Sequence, residues 1–114
     1  PDAMKGRFDL VVEIYTLQAL PLAVRGAAAM ALRDLVAPGG TLFVYTRLRD
    51  DGPAAPPLVE LESGPPWPLG RHELAGYTQG LDLRDALVEA PDPADPAIVR
   101  AHGTWRRRAG CDGA

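Results

Sequence analysis

The sequence predicts an α/β fold whose core is a partial, mainly parallel sheet with a final antiparallel strand. Two short apolar runs, at 8–13 (FDLVVE) and 41–47 (TLFVYTR), are rich in branched and aromatic side chains, as expected for strands buried on both faces. A helical pattern separates them. A strand, helix, strand unit of this kind places two parallel strands side by side with a right-handed crossover.

The segment between the two runs is predicted to be one amphipathic helix. Pro21 suits the first helical turn, and an apolar stripe follows at three- and four-residue spacing: Val24, Ala28, Ala31, Leu32 and Leu35. Arg25, Arg33 and Asp34 are expected to lie off that stripe. The pair at 38–39 then predicts a tight turn, because proline cannot continue the helix and glycine accepts a positive φ.

The rest of the chain predicts an irregular connection, a short helix and two further strands. Residues 48–68 contain six prolines, which is typical of a lid or binding loop, and Trp67 lies at its end. Residues 70–77 predict the short helix. The two strands are expected to begin near Leu81 and to cover 98–106, and they are expected to be antiparallel because a short loop joins them.

Composition narrows the classes of function. The chain is 46% apolar and 24% charged with a net charge of -3, which fits neither a disordered tail nor a basic nucleic-acid binder. No apolar run approaches the roughly 18 residues of a membrane span, and no secretion signal is evident. The chain is therefore expected to be cytoplasmic, without a nucleic-acid or membrane partner.

Two residue counts add to this. The single cysteine, Cys111, and two histidines thirty positions apart, His72 and His102, do not have metal-ligand spacing, so no metal site is expected. Arginine outnumbers lysine eleven to one and asparagine is absent, which indicates a GC-rich bacterial genome.

The order of these segments resembles the fourth to seventh strands of class I S-adenosylmethionine-dependent methyltransferases, whose fold is Rossmann-like. The similarity runs from Phe8 to about Arg108, and its most specific pieces are APGG at 37–40 and the FDLVV strand ahead of it. The resemblance implies that 1–114 is the C-terminal part of a single methyltransferase domain. The N-terminal strands of the fold would be absent, and a flexible tail would begin at about 107.

The resemblance also implies an activity: transfer of a methyl group from S-adenosylmethionine to a small-molecule acceptor. The family's glycine-rich cofactor loop and its ribose-binding acid have no counterpart here, so the cofactor site is expected to be incomplete and the activity of the chain alone is in question. In the family, the segment after the fourth strand touches the cofactor and the acceptor. The corresponding cofactor-binding residues are Glu13, Ile14, Tyr15 and Thr16, with Tyr15 the first choice and Glu13 also a candidate base.

The segment 67–73 would cover the acceptor. Trp67 would offer an apolar wall and Arg71 an anion contact. Structural interpretations stand beside these: Glu13 caps the next helix or hydrogen-bonds a loop, Trp67 pins the loop, and Arg71 and Glu73 are ordinary exposed helix residues.

Two alternatives are left open by the residues. Half of an NAD-binding Rossmann enzyme would show the same strand, helix, strand pattern. A non-catalytic module derived from such a domain would instead bind a partner or form a homodimer through an exposed sheet edge, where unpaired backbone groups favour pairing.

Overall fold

The computed structural model of the chain describes residues 2–53 and 65–109. Within these residues the sheet contains five strands: β1 (Phe8–Ile14), β2 (Val36–Arg49), β3 (Leu69–Gly70), β4 (Asp82–Pro91) and β5 (Ile98–Arg106). In the same described part of the chain, two α-helices accompany the sheet, α1 (Leu22–Asp34) and α2 (Arg71–Tyr77). Short 3₁₀ helices cover Asp2–Met4 and Leu17–Ala19.

The strand order is β1-β2-β5-β4, with β3 paired to the end of β2. β1 is parallel to β2, whereas β5 is antiparallel to both β2 and β4. The predicted α/β fold with a final antiparallel strand is therefore confirmed. Since β5 occupies one side of Leu48, β3 must lie on the other side, in line with β1 and beyond its carboxyl end.

Both helices pack on the same face of the sheet. Ala29 of α1 and Leu74 of α2 belong to one apolar core with side chains of β2, among them Leu42 and Val44. The opposite side chains of the strands form what we term the open face, which no helix covers within 2–53 and 65–109. It consists of Leu10, Val12 and Ile14 on β1, Phe43 and Tyr45 on β2, and His102 on β5.

The APGG segment is a bulge inside β2 rather than a turn before it. Phe8 is paired with Val36 and Leu10 with Thr41, so the four β2 residues 37–40 lie opposite the single β1 residue Asp9. Gly39 has a φ of +78°, as predicted for a glycine in this segment. A Cβ on Gly40 would lie 2.9 Å from the Ala37 carbonyl oxygen and 3.0 Å from that of Phe8, so only glycine lets the strands approach this closely.

One prediction about α1 was wrong. Arg25 was expected off the apolar stripe, yet it is only 1% exposed, and Val24 on the predicted stripe is 51% exposed. The reason is tertiary: α2 places the Glu73 carboxylate against α1, where it pairs with the Arg25 guanidinium. A pattern based on hydropathy alone has no means of anticipating this partner.

The irregular connection predicted at 48–68 is described only in part. Leu48 and Arg49 belong to β2, while 54–64 lie outside the described residues. The flexible tail predicted from about 107 also lies largely beyond 109. Its first residue is anchored, because the Arg107 N–H donates to the Gly40 oxygen at 3.0 Å and the Arg107 side chain donates to the Val36 and Arg33 carbonyls.

Candidate functional site at the carboxyl ends of β1 and β2

The chain turns sharply where β1 ends, and Glu13 holds that turn. The Glu13 side chain is 2% exposed, and its Oε1 accepts hydrogen bonds from the Thr16 N–H at 2.6 Å and the Leu17 N–H at 2.7 Å. Tyr15, inside the turn, has a φ of +59°. A bulky residue in the left-handed region costs about 1–3 kcal/mol and persists only where its surroundings enforce it.

The second oxygen of Glu13 is buried without a hydrogen-bond partner among the described residues. Burial raises the pKa of Glu13, although the N–H groups of Leu17 and Thr16 act in the opposite direction. Glu13 lines a cavity of about 10 Å³ together with Tyr77 and Thr78, which is close to the smallest volume that accommodates one water molecule.

A row of rings runs from the turn across the open face. The Tyr15 ring centroid lies 5.2 Å from that of Tyr45, and His102 lies 5.6 Å from Tyr45 and 5.7 Å from Phe43. Burial raises the pKa of Tyr15, and its neighbour Tyr45 adds to the effect. These separations are within the range of favourable aromatic pairs, so the rings support one another.

Two arginines lie beside this row and share one acid. Arg47 Nε donates to Asp92 Oδ2 at 2.9 Å, and Arg100 Nε lies 3.6 Å from the same oxygen. The two arginines are cross-strand partners on β2 and β5. The local charge is therefore positive next to Tyr15.

A buried ion pair connects the helices to the segment that precedes α2. Arg25 Nε donates to Glu73 Oε2 at 2.7 Å and Arg25 Nη2 donates to Glu73 Oε1 at 3.1 Å. Arg25 Nη1 also donates to the Trp67 carbonyl at 2.6 Å, and Nη2 donates to the Pro68 carbonyl at 3.4 Å. Glu73 further accepts the Gly70 N–H at 3.0 Å and the Tyr77 hydroxyl at 2.5 Å.

Gln18 joins this segment to the two strand ends. Its carbonyl oxygen accepts the Trp67 N–H at 2.6 Å. Its side-chain Oε1 accepts the Arg47 N–H at 2.9 Å and the Thr46 hydroxyl at 3.3 Å. The turn after β1, the end of β2 and the segment before α2 are thus held together by buried polar side chains.

The structure brings some of the predicted site residues together and separates one. Glu13 is buried beneath the turn, Ile14 and Thr16 are exposed, and Tyr15 is half-buried. Trp67 is buried, and its backbone N–H donates to the Gln18 carbonyl. Arg71 points away from them toward β4, where its guanidinium donates to both Glu89 carboxylate oxygens at 2.9 and 2.7 Å.

The sequence analysis did not single out Arg25 or Gln18, and for Glu73 it offered two interpretations: part of the segment over the acceptor, or an ordinary exposed helix residue. The only available signal was an arginine inside an alanine-rich helix, and that signal is weak because most such arginines are solvated. Arg25 and Glu73 are 48 positions apart, so their pairing is decided by how α1 packs on α2.

No helix in 2–53 or 65–109 is long and apolar enough to cross a membrane. Within the same residues, no group of three His, Cys, Asp or Glu side chains is arranged to hold a metal ion.

No protein-family model matches the sequence, and the search of curated proteins found no match. Solved structures do match. The [4+2]-cyclase SpnF superposes with a TM-score of 0.65 at 12% identity, covering 93% of this chain and 52% of its own. A 1,6-didemethyltoxoflavin-N1-methyltransferase from Burkholderia thailandensis, solved with S-adenosylhomocysteine, superposes with a TM-score of 0.59 at 19% identity, covering 91% of this chain and 45% of its own.

An S-adenosylmethionine-dependent methyltransferase from Methanosarcina mazei also matches, with a TM-score of 0.59 at 10% identity, covering 92% of this chain and 61% of its own. The chain thus spans about half the length of the structures it resembles. At these identities the likeness is one of fold, and it confirms the resemblance seen in the sequence. The chain has part of the class I methyltransferase fold.

Proposed function

We propose that this chain is part of a bacterial, cytoplasmic enzyme that transfers a methyl group from S-adenosylmethionine to a small-molecule acceptor. The observation that carries the proposal is the strained turn at Tyr15, located at the carboxyl end of β1 in a fold shared with methyltransferases. Ligands of open α/β sheets bind beyond the carboxyl ends of the strands. Backbone strain concentrates at such sites.

In this proposal the turn supplies one side of the cofactor site. Tyr15, Ile14 and Thr16 contact the cofactor, and Glu13 holds the turn from below. Because Glu13 is buried and its Oε1 already accepts two N–H groups, it acts by positioning Tyr15 rather than as a base. The glycine-rich loop and the ribose-binding acid of the family have no counterpart in the sequence, so the chain offers a partial fit to the cofactor.

The acceptor would approach from the side of Trp67. Trp67 forms an apolar wall, and an anionic acceptor group could reach Arg71 only by replacing Glu89. The bound cofactor supplies an electrophilic methyl group on a sulfonium. The residues of this chain orient the acceptor toward that methyl and exclude water, which is the main contribution a protein makes to such a displacement.

Binding of S-adenosylhomocysteine tests the proposal. We expect isothermal titration calorimetry to detect binding by the complete natural polypeptide that carries these residues, with weak or no binding by residues 1–114 alone. NAD is the control ligand, and it would bind instead if the fold served a nicotinamide enzyme. Absence of S-adenosylhomocysteine binding by the complete polypeptide would contradict the proposal.

The cyclase among the similar structures shows that this fold serves more than one named activity. A titration therefore has to be followed by an assay of methyl transfer from labelled S-adenosylmethionine to candidate small molecules. Binding without transfer to any acceptor would favour another chemistry at the same site.

A second candidate is a non-catalytic module that forms a homodimer through the β1 edge. One observation favours it: on the described part of the chain, β1 is paired on one side only, and Leu10, Val12 and Ile14 are 60%, 48% and 52% exposed. Two copies related by a twofold axis could pair these edges and cover the apolar side chains.

A further inference from the structure

Arg25 and Glu73 form a buried clamp that the proposed chemistry does not use. The guanidinium is 1% exposed and reaches four acceptors on two segments: two carboxylate oxygens of Glu73 and the carbonyls of Trp67 and Pro68. Burying an arginine is costly unless its charge is paired and its donors are satisfied. A site with this many matched donors therefore has a defined geometry.

The composition of the segment explains why a side chain must hold it. Residues 65–68 read Pro-Pro-Trp-Pro, so three of the four have no backbone N–H. The one available N–H, on Trp67, donates to the Gln18 carbonyl. Such a segment cannot be fixed by a regular backbone ladder. Its carbonyls need donors from elsewhere, and Arg25 donates to those of Trp67 and Pro68.

Arginine suits this task and lysine does not. A guanidinium is a planar fork with five N–H donors in fixed directions, whereas an ammonium is a compact charge on a flexible stem. Here the Nε and Nη2 groups face Glu73 while Nη1 faces the Trp67 carbonyl. One rigid group thus sets the distance between α1, α2 and the Trp67 segment.

We propose that Arg25 is a positioning residue, which holds Trp67 against the turn after β1 and thereby sets the acceptor side of the site. This inference rests on the proposed methyl-transfer function. Gln18 extends these contacts, because it accepts hydrogen bonds from the N–H groups of Trp67 and Arg47. Trp67 and the end of β2 are therefore held in fixed positions relative to each other.

The test needs variants that remain folded. Arg25→Met alone would leave the partly buried Glu73 carboxylate without its cation. It is therefore combined with Glu73→Gln, because removal of both charges of such a pair is often tolerated by the fold. Arg25→Lys is the second variant, which keeps the charge but not the fork. Arg33→Met on the same helix is the matched control, since among the described residues the Arg33 side chain donates to the Gln79 carbonyl and lies near Asp34, away from the Trp67 segment.

The first measurement is ¹⁹F NMR of protein labelled with 5-fluorotryptophan, with the Trp67 signal assigned by Trp67→Phe. In the double variant we expect the Trp67 signal to shift and its solvent isotope effect to rise toward that of free fluorotryptophan. In Arg25→Lys the change should be smaller. The Trp105 signal and the control variant should be unchanged, because Trp105 lies in the core beside β2.

The second measurement is steady-state kinetics of the complete polypeptide. We expect the double variant to lose about tenfold in kcat/KM for the acceptor, as for a misplaced contact, while the affinity for S-adenosylhomocysteine stays within about twofold. A general loss of structure would lower both together. Partial recovery in Arg25→Lys would agree with a positioning role.

An unchanged Trp67 signal in a folded double variant would overturn the inference, and so would equal losses of acceptor kinetics and cofactor affinity. Failure of the proposed function is a separate result: the parent protein would not bind S-adenosylhomocysteine, while the ¹⁹F measurement would still show whether Arg25 holds Trp67.

Discussion

Tyr15 and Glu13 depend on each other at the end of β1. The Glu13 carboxylate accepts the two N–H groups that follow Tyr15, and this keeps Tyr15 at a φ of +59°. Sequence reasoning placed both residues at the site but left open whether Glu13 was a base or a cap. In the structure Glu13 caps the turn, as the structural interpretation anticipated.

Replacing Tyr15 with glycine should separate stability from binding. Glycine removes the left-handed strain at this position, which is about 1–3 kcal/mol. It also loses a ring pair worth about 0.5–1.5 kcal/mol and raises the conformational entropy of the unfolded chain. Because these effects oppose one another, we expect the free energy of unfolding to change by about 1 kcal/mol or less. Binding of S-adenosylhomocysteine to the complete polypeptide should weaken by about tenfold, because a contact is removed. Urea unfolding and calorimetry measure the two quantities.

The control is Asp85→Gly. Asp85 is the other non-glycine residue of the described chain with a positive φ, +58°, and it lies on β4. Its replacement should leave binding unaltered. Equal binding by the parent and the Tyr15→Gly variant would remove Tyr15 from the site.

Glu13→Gln should change how stability depends on pH. Burial raises the pKa of Glu13 in the folded chain, so the protonated form is the one that folding favours. The stability linked to this group is therefore fully present below the unfolded pKa and is lost as pH rises through the folded pKa. At pH 7 the amide should be more stable than the parent by about 1 kcal/mol, because it keeps an acceptor oxygen for the two N–H groups and removes the buried charge.

Urea unfolding between pH 4 and pH 8 measures this difference, which should shrink toward acid pH. Glu89→Gln is the contrasting control. The Arg71 guanidinium lowers the pKa of Glu89, so the stability that Glu89 contributes is present above its unfolded pKa and is lost as pH falls. A Glu13→Gln variant less stable than the parent at every pH would contradict this expectation. It would mean that hydrogen bonds to the ionised carboxylate outweigh the cost of its burial.

At the scale of elements, the β2 bulge shows what a short motif encodes. Sequence reasoning recognised the Pro-Gly-Gly segment and its need for a positive φ. It did not anticipate that β2 would begin at Val36 and absorb the segment as a bulge, because strand pairing with β1 extends the strand past it. Arg107, the residue that follows β5, stabilises the bulge by donating hydrogen bonds to the carbonyl oxygens of Gly40 and Val36.

Two glycine-to-alanine changes should have opposite effects. Gly40→Ala would place a Cβ 2.9 Å from the Ala37 oxygen and 3.0 Å from the Phe8 oxygen, both backbone atoms that cannot rotate away. We expect a loss of about 1–3 kcal/mol in the free energy of unfolding. Gly26→Ala in α1 meets no atom within 4 Å and should stabilise the helix by up to about 1 kcal/mol.

Urea denaturation of both variants checks the pair of effects. A Gly40→Ala variant as stable as the parent would contradict the short distances from residue 40 to the Ala37 and Phe8 carbonyl oxygens.

At the scale of the whole molecule, uncovered apolar surface gathers around β1. The β1 edge is unpaired within the described chain, and Leu10, Val12 and Ile14 line the open face beside it. On the helical side, a groove of about 400 Å³ runs along α1, lined by Met4, Leu17, Leu20, Ala28, Ala31, Leu32 and Leu35 among others. Uncovered apolar surface therefore lies on three adjoining sides of this strand.

Self-association tests the homodimer candidate. If two copies pair through β1, sedimentation equilibrium of residues 1–114 should show a dimer, and Val12→Lys should weaken the association by at least about tenfold because it buries a charge at the interface. Val88→Lys is the matched control, since Val88 is 57% exposed and lies on β4, the strand at the other edge of the sheet. A parent chain that stays monomeric would contradict the homodimer.

The sequence by itself determined the element types and the topology class. Continuous apolar runs, a proline-initiated helical stripe and a Pro-Gly-Gly segment are local signals, and local physics is enough to read them. They also located the carboxyl end of β1, and with it Glu13, Ile14, Tyr15 and Thr16, as the candidate site.

The tertiary structure alone decided which side chains hold that site together. Arg25 pairs with Glu73, which is 48 positions away in the sequence. Gln18 accepts hydrogen bonds from the N–H groups of Trp67 and Arg47, which lie on two other segments of the chain. A buried polar group is stable only when its donors and acceptors are matched in space, and that matching arises from the packing of α1 on α2 and of the loops on the strand ends. In the sequence these residues resemble ordinary surface residues, because the hydropathy of a residue type carries no information about its tertiary contacts.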